Sequence, residues 1–316
     1  MRKAIVLLAI AILSFSFSNA QGFWQQTKLP AIGYIKSLVI NSRGHVFAGT
    51  GAGVFRSMDN GESWKSITAG LTRLEITCLA INANGHVYAG TDDGGIFYST
   101  NNGDSWTSIG MKNIWVISLA VKSNGHLFAG TQSSGVFRSV DNGKNWTPVG
   151  LKNNGVVSLA INPGGHIYAG TNGNGVFRST DDGDKWTAVN TGLADTSIWS
   201  LRINSSGHIF AGTYDGGVFR SITNGNSWTP VQTGMTTRWT ISLAINPNGH
   251  IFAGTYDGGV FHSTDNGDSW TPINAGLTNS TVWALAINPD GYIFAGTAGG
   301  GVYRSTQSTT SNIRKQ

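Results

Sequence analysis

Cysteine is almost missing from this chain. Cys78 is the only one, so no disulfide can form within it. Charge is sparse at 12% of residues, and only two glutamates occur, Glu62 and Glu75. Basic residues make no run longer than the pairs Arg2-Lys3 and Arg314-Lys315, which leaves no footprint for nucleic-acid binding. After residue 20 no apolar segment is long enough to span a membrane. The longest apolar run, Ala4 to Phe17, is itself too short for a good span; it follows Arg2 and Lys3 and precedes the small residues Ser18-Asn19-Ala20. That order predicts a cleaved signal peptide over 1–20 and a secreted or periplasmic product. The 21 basic and 16 acidic residues give +5, and leaving out Arg2 and Lys3 brings the balance to +3.

Glycine, by contrast, is abundant at 44 residues, the profile of a turn-rich β protein. The tripeptide Ala-Gly-Thr recurs at 48–50, 89–91, 129–131, 169–171, 211–213, 253–255 and 295–297, at intervals of 40 to 42 residues. The copy "WTISLAINPNGHIFAGTYDGGVFHSTDNGDSWTPINAGL" (Trp239–Leu277) divides into four short β-rich runs separated by Gly, Asn, Asp and Pro turns. Four antiparallel strands at this period predict a propeller blade, and seven copies predict an all-β, seven-bladed β-propeller. The last unit ends at Gly301–Ser305 without a closing Trp, whereas Gly22–Leu29 carries Trp24 with no blade before it. The N-terminal strand should therefore complete the seventh blade. The expected organisation is a propeller over 21–306 and a flexible tail over 307–316, as a monomer.

Six units carry a phrase of the form "STDNGDSW" (Ser263–Trp270). Ser57, Asp59, Gly61 and Trp64 fit Ser-x-Asp-x-Gly-x-x-Trp, as do the sets starting at Ser139, Ser179 and Ser263, while Asn101 and Thr223 replace the Asp in two others. The phrase resembles the Asp-box, or BNR repeat, of sialidases and sortilin-type propellers. The resemblance implies an architectural turn away from the ligand face. Ser and Asp oxygens can accept from turn N–H groups, Gly supplies positive φ, and Trp packs on the sheet. A calcium loop would need a later bidentate Glu that is absent. The His column (His45, His86, His126, His166, His208, His250) and the Arg column (Arg56, Arg138, Arg178, Arg220, Arg304) are spread by the same repetition and cannot converge on one ligand. No metal or cofactor is expected. Cys78 stands where other units have Ser and reads as a small buried residue.

If repetition marks structure, function should lie where the copies differ. Two variable sets fall on one face of the ring, the top. One residue before the Ser-Leu of the first strand stand Lys36, Thr77, Ile117, Val157, Trp199, Ile241 and Trp283. Three before it stand Tyr34, Glu75, Trp115, Gly155, Ser197, Trp239 and Thr281. The turn after Ala-Gly-Thr carries Asp92-Asp93, Gln132-Ser133, Asn172-Gly173, Tyr214-Asp215 and Tyr256-Asp257. Each Trp taken singly also suits packing, but the set Trp115, Trp199, Tyr214, Asp215, Trp239, Tyr256, Asp257 and Trp283 resembles a binding surface. Its densest part should lie off-centre, over blades five and six.

A sialidase-like site needs three converging Arg, and a xyloglucanase-like site needs two Asp across a cleft. Asp93, Asp215 and Asp257 could supply a carboxylate pair, so a glycoside hydrolase is the alternative. Loops of near-uniform length, without a lid or wall, favour a non-catalytic module for a protein or glycan partner. The chain also resembles extracytoplasmic sensor propellers of two-component systems and photosystem assembly factors.

Overall fold

The computed structural model describes residues 22–30 and 32–310; the expected signal peptide and residues 311–316 lie outside the described residues. Seven four-stranded antiparallel sheets form the ring. Their inner strands, Ile35–Ile40, Ile76–Ile81, Val116–Val121, Val156–Ile161, Ile198–Ile203, Thr240–Ile245 and Val282–Ile287, define blades 1 to 7. No helix occurs among the described residues, so none is long and apolar enough to cross a membrane. The outer strands of blades 1 to 6 are two residues long, and three of them end in Pro148, Pro230 or Pro272. Short strands with Pro protect the rim from pairing with other chains.

Blade 7 is closed as expected. Trp24, Gln25 and Gln26 pair antiparallel with Ser305, Arg304 and Tyr303. Trp24 is buried, and its Nε1–H donates to the Ile273 carbonyl of blade 6 at 2.5 Å. The phrase Trp residues of blades 2 to 6 donate in the same way to the preceding blade, for example Trp228 to Val189 O at 2.7 Å and Trp270 to Val231 O at 2.8 Å. Each Trp thus fastens its blade to the one before it.

The core lies in the seams between blades. At the seam of blades 5 and 6, Phe210 and Val218 pack with Leu243, Ile251, Ala253, Phe261 and Trp270. The Gly of Ala-Gly-Thr is explained here. A Cβ on Gly212 would stand 2.8 Å from Thr240 Cγ2 and 2.9 Å from its carbonyl oxygen in the next blade, and every copy meets the following inner strand in this way. The Arg column crosses the same seams. Arg56, Arg138, Arg178, Arg220 and Arg304 each donate through Nη1 to the carbonyl of the third phrase residue after Ser in the next blade, at 2.6–2.9 Å.

In the repeated turn, Ser139 Oγ accepts from Gly143 N at 2.8 Å and donates to Asp141, whose carboxylate accepts from Asn145 N at 2.9 Å. Positive φ is shared by Gly143 and the residue before it, Asn142, at 87° and 60°; Asn tolerates this region because its short polar side chain bonds locally. The hydrogen bonds from Asn145 and Ser139 hold the Asp141 carboxyl down to about 2. A depressed folded value gives stability that is present above the unfolded value and lost as pH falls through the folded one. Melting followed by circular dichroism should therefore fall between pH 3.8 and about 2. Asp141→Asn should flatten that fall and keep the turn, since Asn101 already makes the same bonds to Ser99 and Ser105. An equally steep fall in the variant would remove Asp141 from the acid response.

The tail departs from expectation at its start. Thr309 is fully buried, its hydroxyl and N–H donate to Gly291 O, and its carbonyl accepts from Asn246 Nδ2 at 2.8 Å. Asn204 and Asn288, in the same position of blades 5 and 7, bond instead to Asn266 and Asn60 of the repeated turns. Residues 307–310 therefore take the place of the turn that blade 7 lacks. Burial pushes the Cys78 thiol up to about 12, so it stays protonated.

Candidate functional site

All seven inner strands share a β-bulge. In blade 5 Ile198 pairs with Thr213 and Ser200 with Gly212, leaving Trp199 as the extra residue; in blade 7 the extra residue is Trp283. The variable column one before Ser-Leu is thus the bulged position throughout. A bulge leaves its residue unpaired and re-aims the side chain. Trp199 and Trp283 both line the central channel.

The second variable set is fixed by the Ala-Gly-Thr threonine. Thr213 and Thr255 donate to Gly217 O and Gly259 O and accept from Gly216 N and Gly258 N, which ties each turn into a tight loop. Tyr214 N then donates to Ser197 O at 3.0 Å and Tyr256 N to Trp239 O at 3.1 Å. The turn and the loop entering the blade are held side by side, so residues distant in sequence meet on the top face.

The rings join into one arc. Trp239 stacks on Tyr256 at 4.2 Å and 9°, meets Tyr214 at 4.5 Å, and meets Trp199 edge-on at 5.6 Å. Trp199 reaches Trp283 at 6.0 Å, and Trp283 reaches Tyr34 at 6.1 Å. The arc covers blades 5, 6, 7 and 1. Tyr34 (55% exposed), Tyr214 (50%) and Tyr256 (43%) keep open surface. Each ring pair of this kind contributes about 0.5–1.5 kcal/mol beyond its buried area. Tyr34 was not among the expected site residues, although it stands in the same column as Trp239. Trp115, exposed on blade 3, contacts none of these rings among the described residues. The Tyr rings are not isolated platforms, because Trp239 occupies one side of each.

Asp215 is exposed, and its backbone N–H donates to Asp195 Oδ2 at 2.6 Å. Asp257 accepts from Thr237 Oγ1 at 2.7 Å, and Asp93 is paired with Arg73. The channel inside the arc offers about 160 Å³ of room for water and carries Lys36 and Arg202, with no carboxylate among its lining residues. Among the described residues, no group of three or more His, Cys, Asp or Glu is placed to hold a metal ion.

The family model for the DUF6242 beta-propeller domain matches residues 19–155 and 160–282. No curated protein matches the chain. Among solved structures, it resembles the extracellular domain of a B. thetaiotaomicron protein assigned as hybrid two-component system BT3049 (TM-score 0.78, 18% identity, 94% of this chain and 43% of that one). It resembles YCF48 bound to D1 peptide (TM-score 0.75, 18% identity, 93% and 98%). It also resembles the GH74 xyloglucanase from Xanthomonas campestris (TM-score 0.73, 18% identity, 90% and 54%). The chain spans about two fifths of the length of the sensor ectodomains and about half that of the xyloglucanase. At these identities the likeness is one of fold.

Proposed function

Because the chain belongs to the DUF6242 β-propeller family, we propose that it is a non-catalytic module that holds a peptide segment of a partner protein against the aromatic arc of blades 5 and 6. The observation that carries this reading is Trp239. It bridges two half-exposed Tyr rings, yet its own Nε1–H is buried and meets no acceptor among the described residues. The Trp residues at the seams all donate theirs, so Trp239 is not placed as a seam residue is. An unsatisfied buried donor costs about 1–3 kcal/mol, a cost that packing alone does not explain.

Further support comes from size. The fold match spans nearly the whole of YCF48, whose structure holds a D1 peptide, but only parts of the longer sensor and GH74 chains. Asp215 beside Tyr214 and Asp257 beside Tyr256 suit a Lys or Arg of the segment, by cation–π contact and by ion pairing. We further read residues 1–20 as a cleaved signal peptide, the repeated turn as an Asp-box, and the working compartment as extracellular or periplasmic.

Peptides selected on the immobilised protein from a random phage-displayed library provide the test. Tyr214→Ala with Tyr256→Ala should weaken them at least tenfold, or about 1.4 kcal/mol; melting should drop by the loss of two ring pairs with Trp239, while the ring stays folded. Asp92→Ala with Gln132→Ala, at the same turn position on blades 2 and 3, should leave affinity unchanged. Equal affinity in the Tyr variant, or selection of no peptide alongside specific binding on a glycan array, would contradict the reading.

A further inference from the structure

We propose that the central channel is an anion site in which Arg202 binds a carboxylate of the ligand lying on the aromatic arc. The proposal rests on the binding reading above and names the chemistry of one end of that ligand. Arg202 breaks the repeat in a single place. The equivalent residues of the other inner strands are Val39, Ala80, Ala120, Ala160, Ala244 and Ala286. It lies three residues past Trp199, roughly 10 Å deeper along the strand, and among the described residues it alone of its column lines the channel.

The Arg202 side chain has five N–H donors. Its hydrogen bond to protein is from Nη1 to the carbonyl of its neighbour Leu201 at 2.8 Å. The seam arginines, by contrast, end on the next blade, and Arg56, Arg138, Arg220 and Arg304 also pair with carboxylates there. No carboxylate lies within ion-pair distance of Arg202 among the described residues. Lys36, the other cation lining the channel, is bound to Glu75 at 2.5 Å. The guanidinium is open to channel water but ringed by protein, and burial moves its pKa below the ordinary value; an arginine stays charged even so.

A second observation points the same way. Trp283 lines the same channel, and its Nε1–H is buried without an acceptor among the described residues. The channel is therefore lined by a cation with no carboxylate partner beneath an aromatic rim, and beside it lies an indole N–H, shielded from the channel, with no acceptor among the described residues. Its room corresponds to roughly five waters, enough for a carboxylate on a slim arm. A guanidinium binds a carboxylate by two parallel hydrogen bonds. In a peptide the carboxylate comes from the chain terminus or from an Asp or Glu side chain.

The test uses benzoate and its neutral isostere benzamide, titrated at constant ionic strength and followed by the Arg Nε–H and Trp indole N–H signals. Benzoate should shift the Arg202, Trp199 and Trp283 signals saturably, and benzamide should bind at least tenfold more weakly. Arg202→Ala should abolish the benzoate response while the protein still folds, since five blades already carry Ala there. Arg202→Lys, which keeps the charge but loses the fork, should restore part of it. Acetyl-triglycine acid against acetyl-aspartyl-glycine amide then separates chain terminus from side chain, and binding of either fits the proposal. Equal binding of benzoate and benzamide, a response that survives Arg202→Ala, or no saturable shift would overturn it. Loss of selected peptides in the double Tyr variant with a silent channel would reject only the anion site. A responsive channel with peptide affinity unchanged in that variant would reject only the arc.

Discussion

Trp24→Ala is expected to destabilise the ring by about 3–5 kcal/mol, the usual cost of truncating a buried Trp. Three contacts meet at this residue. Its backbone pairs with Ser305, its N–H donates to Ala275 O at 2.8 Å, and its indole donates to Ile273 O. The side chain packs with Phe23, Phe252, Val260 and Tyr303 in the seam of blades 6 and 7. Strand, seam and ring closure therefore depend on one residue supplied from the far end of the chain. Deleting residues 22–29 should go further, exposing the Val302–Ser305 edge and promoting aggregation. Denaturant unfolding and light scattering read both effects. An unchanged midpoint in the Trp24 variant, or a monomeric deletion variant, would mean that the ring does not close through this strand.

Gly212→Ala should be the next most damaging change, costing about 1–3 kcal/mol by overpacking. Its φ lies outside the left-handed region, so the penalty comes from space alone. The added methyl would press on the Thr240 side chain and on its carbonyl oxygen, and the carbonyl cannot rotate away. Denaturant midpoints should show the loss, and the signals of Trp199 and Trp239, on the blades either side, should move with it. A variant as stable as the parent would show that blades 5 and 6 are less tightly apposed than the Gly contacts imply.

Much of this architecture was legible because repetition is written directly in the residues. Seven Ala-Gly-Thr copies gave the blade number, and the stranded Trp24 gave the closure. What the repeat could not show is geometry that depends on angle or parity. Trp115 and Trp239 occupy the same column, but one lies on blade 3 and the other on blade 6, so only Trp239 joins the arc. Tyr34 was visible in that column, yet its contact with Trp283 exists only because the ring brings blade 1 beside blade 7. The bulge at Trp199 shifts the alternation of the inner strand, so period-two reasoning could not say that Arg202 enters the channel. The polar tail read as free because composition does not reveal that the carbonyl of Thr309 serves as an acceptor for Asn246.

The central claim is that the ligand lies off-centre, over blades 5 and 6. Site-specific photo-cross-linking locates it most directly, with p-benzoylphenylalanine placed singly at Tyr214, Tyr256, Asp92 and Gln132 and each protein irradiated with the same selected peptide. Adducts are expected from positions 214 and 256 and none from 92 and 132. Adducts of equal yield from all four positions, or from 92 and 132 alone, would contradict a ligand held over blades 5 and 6.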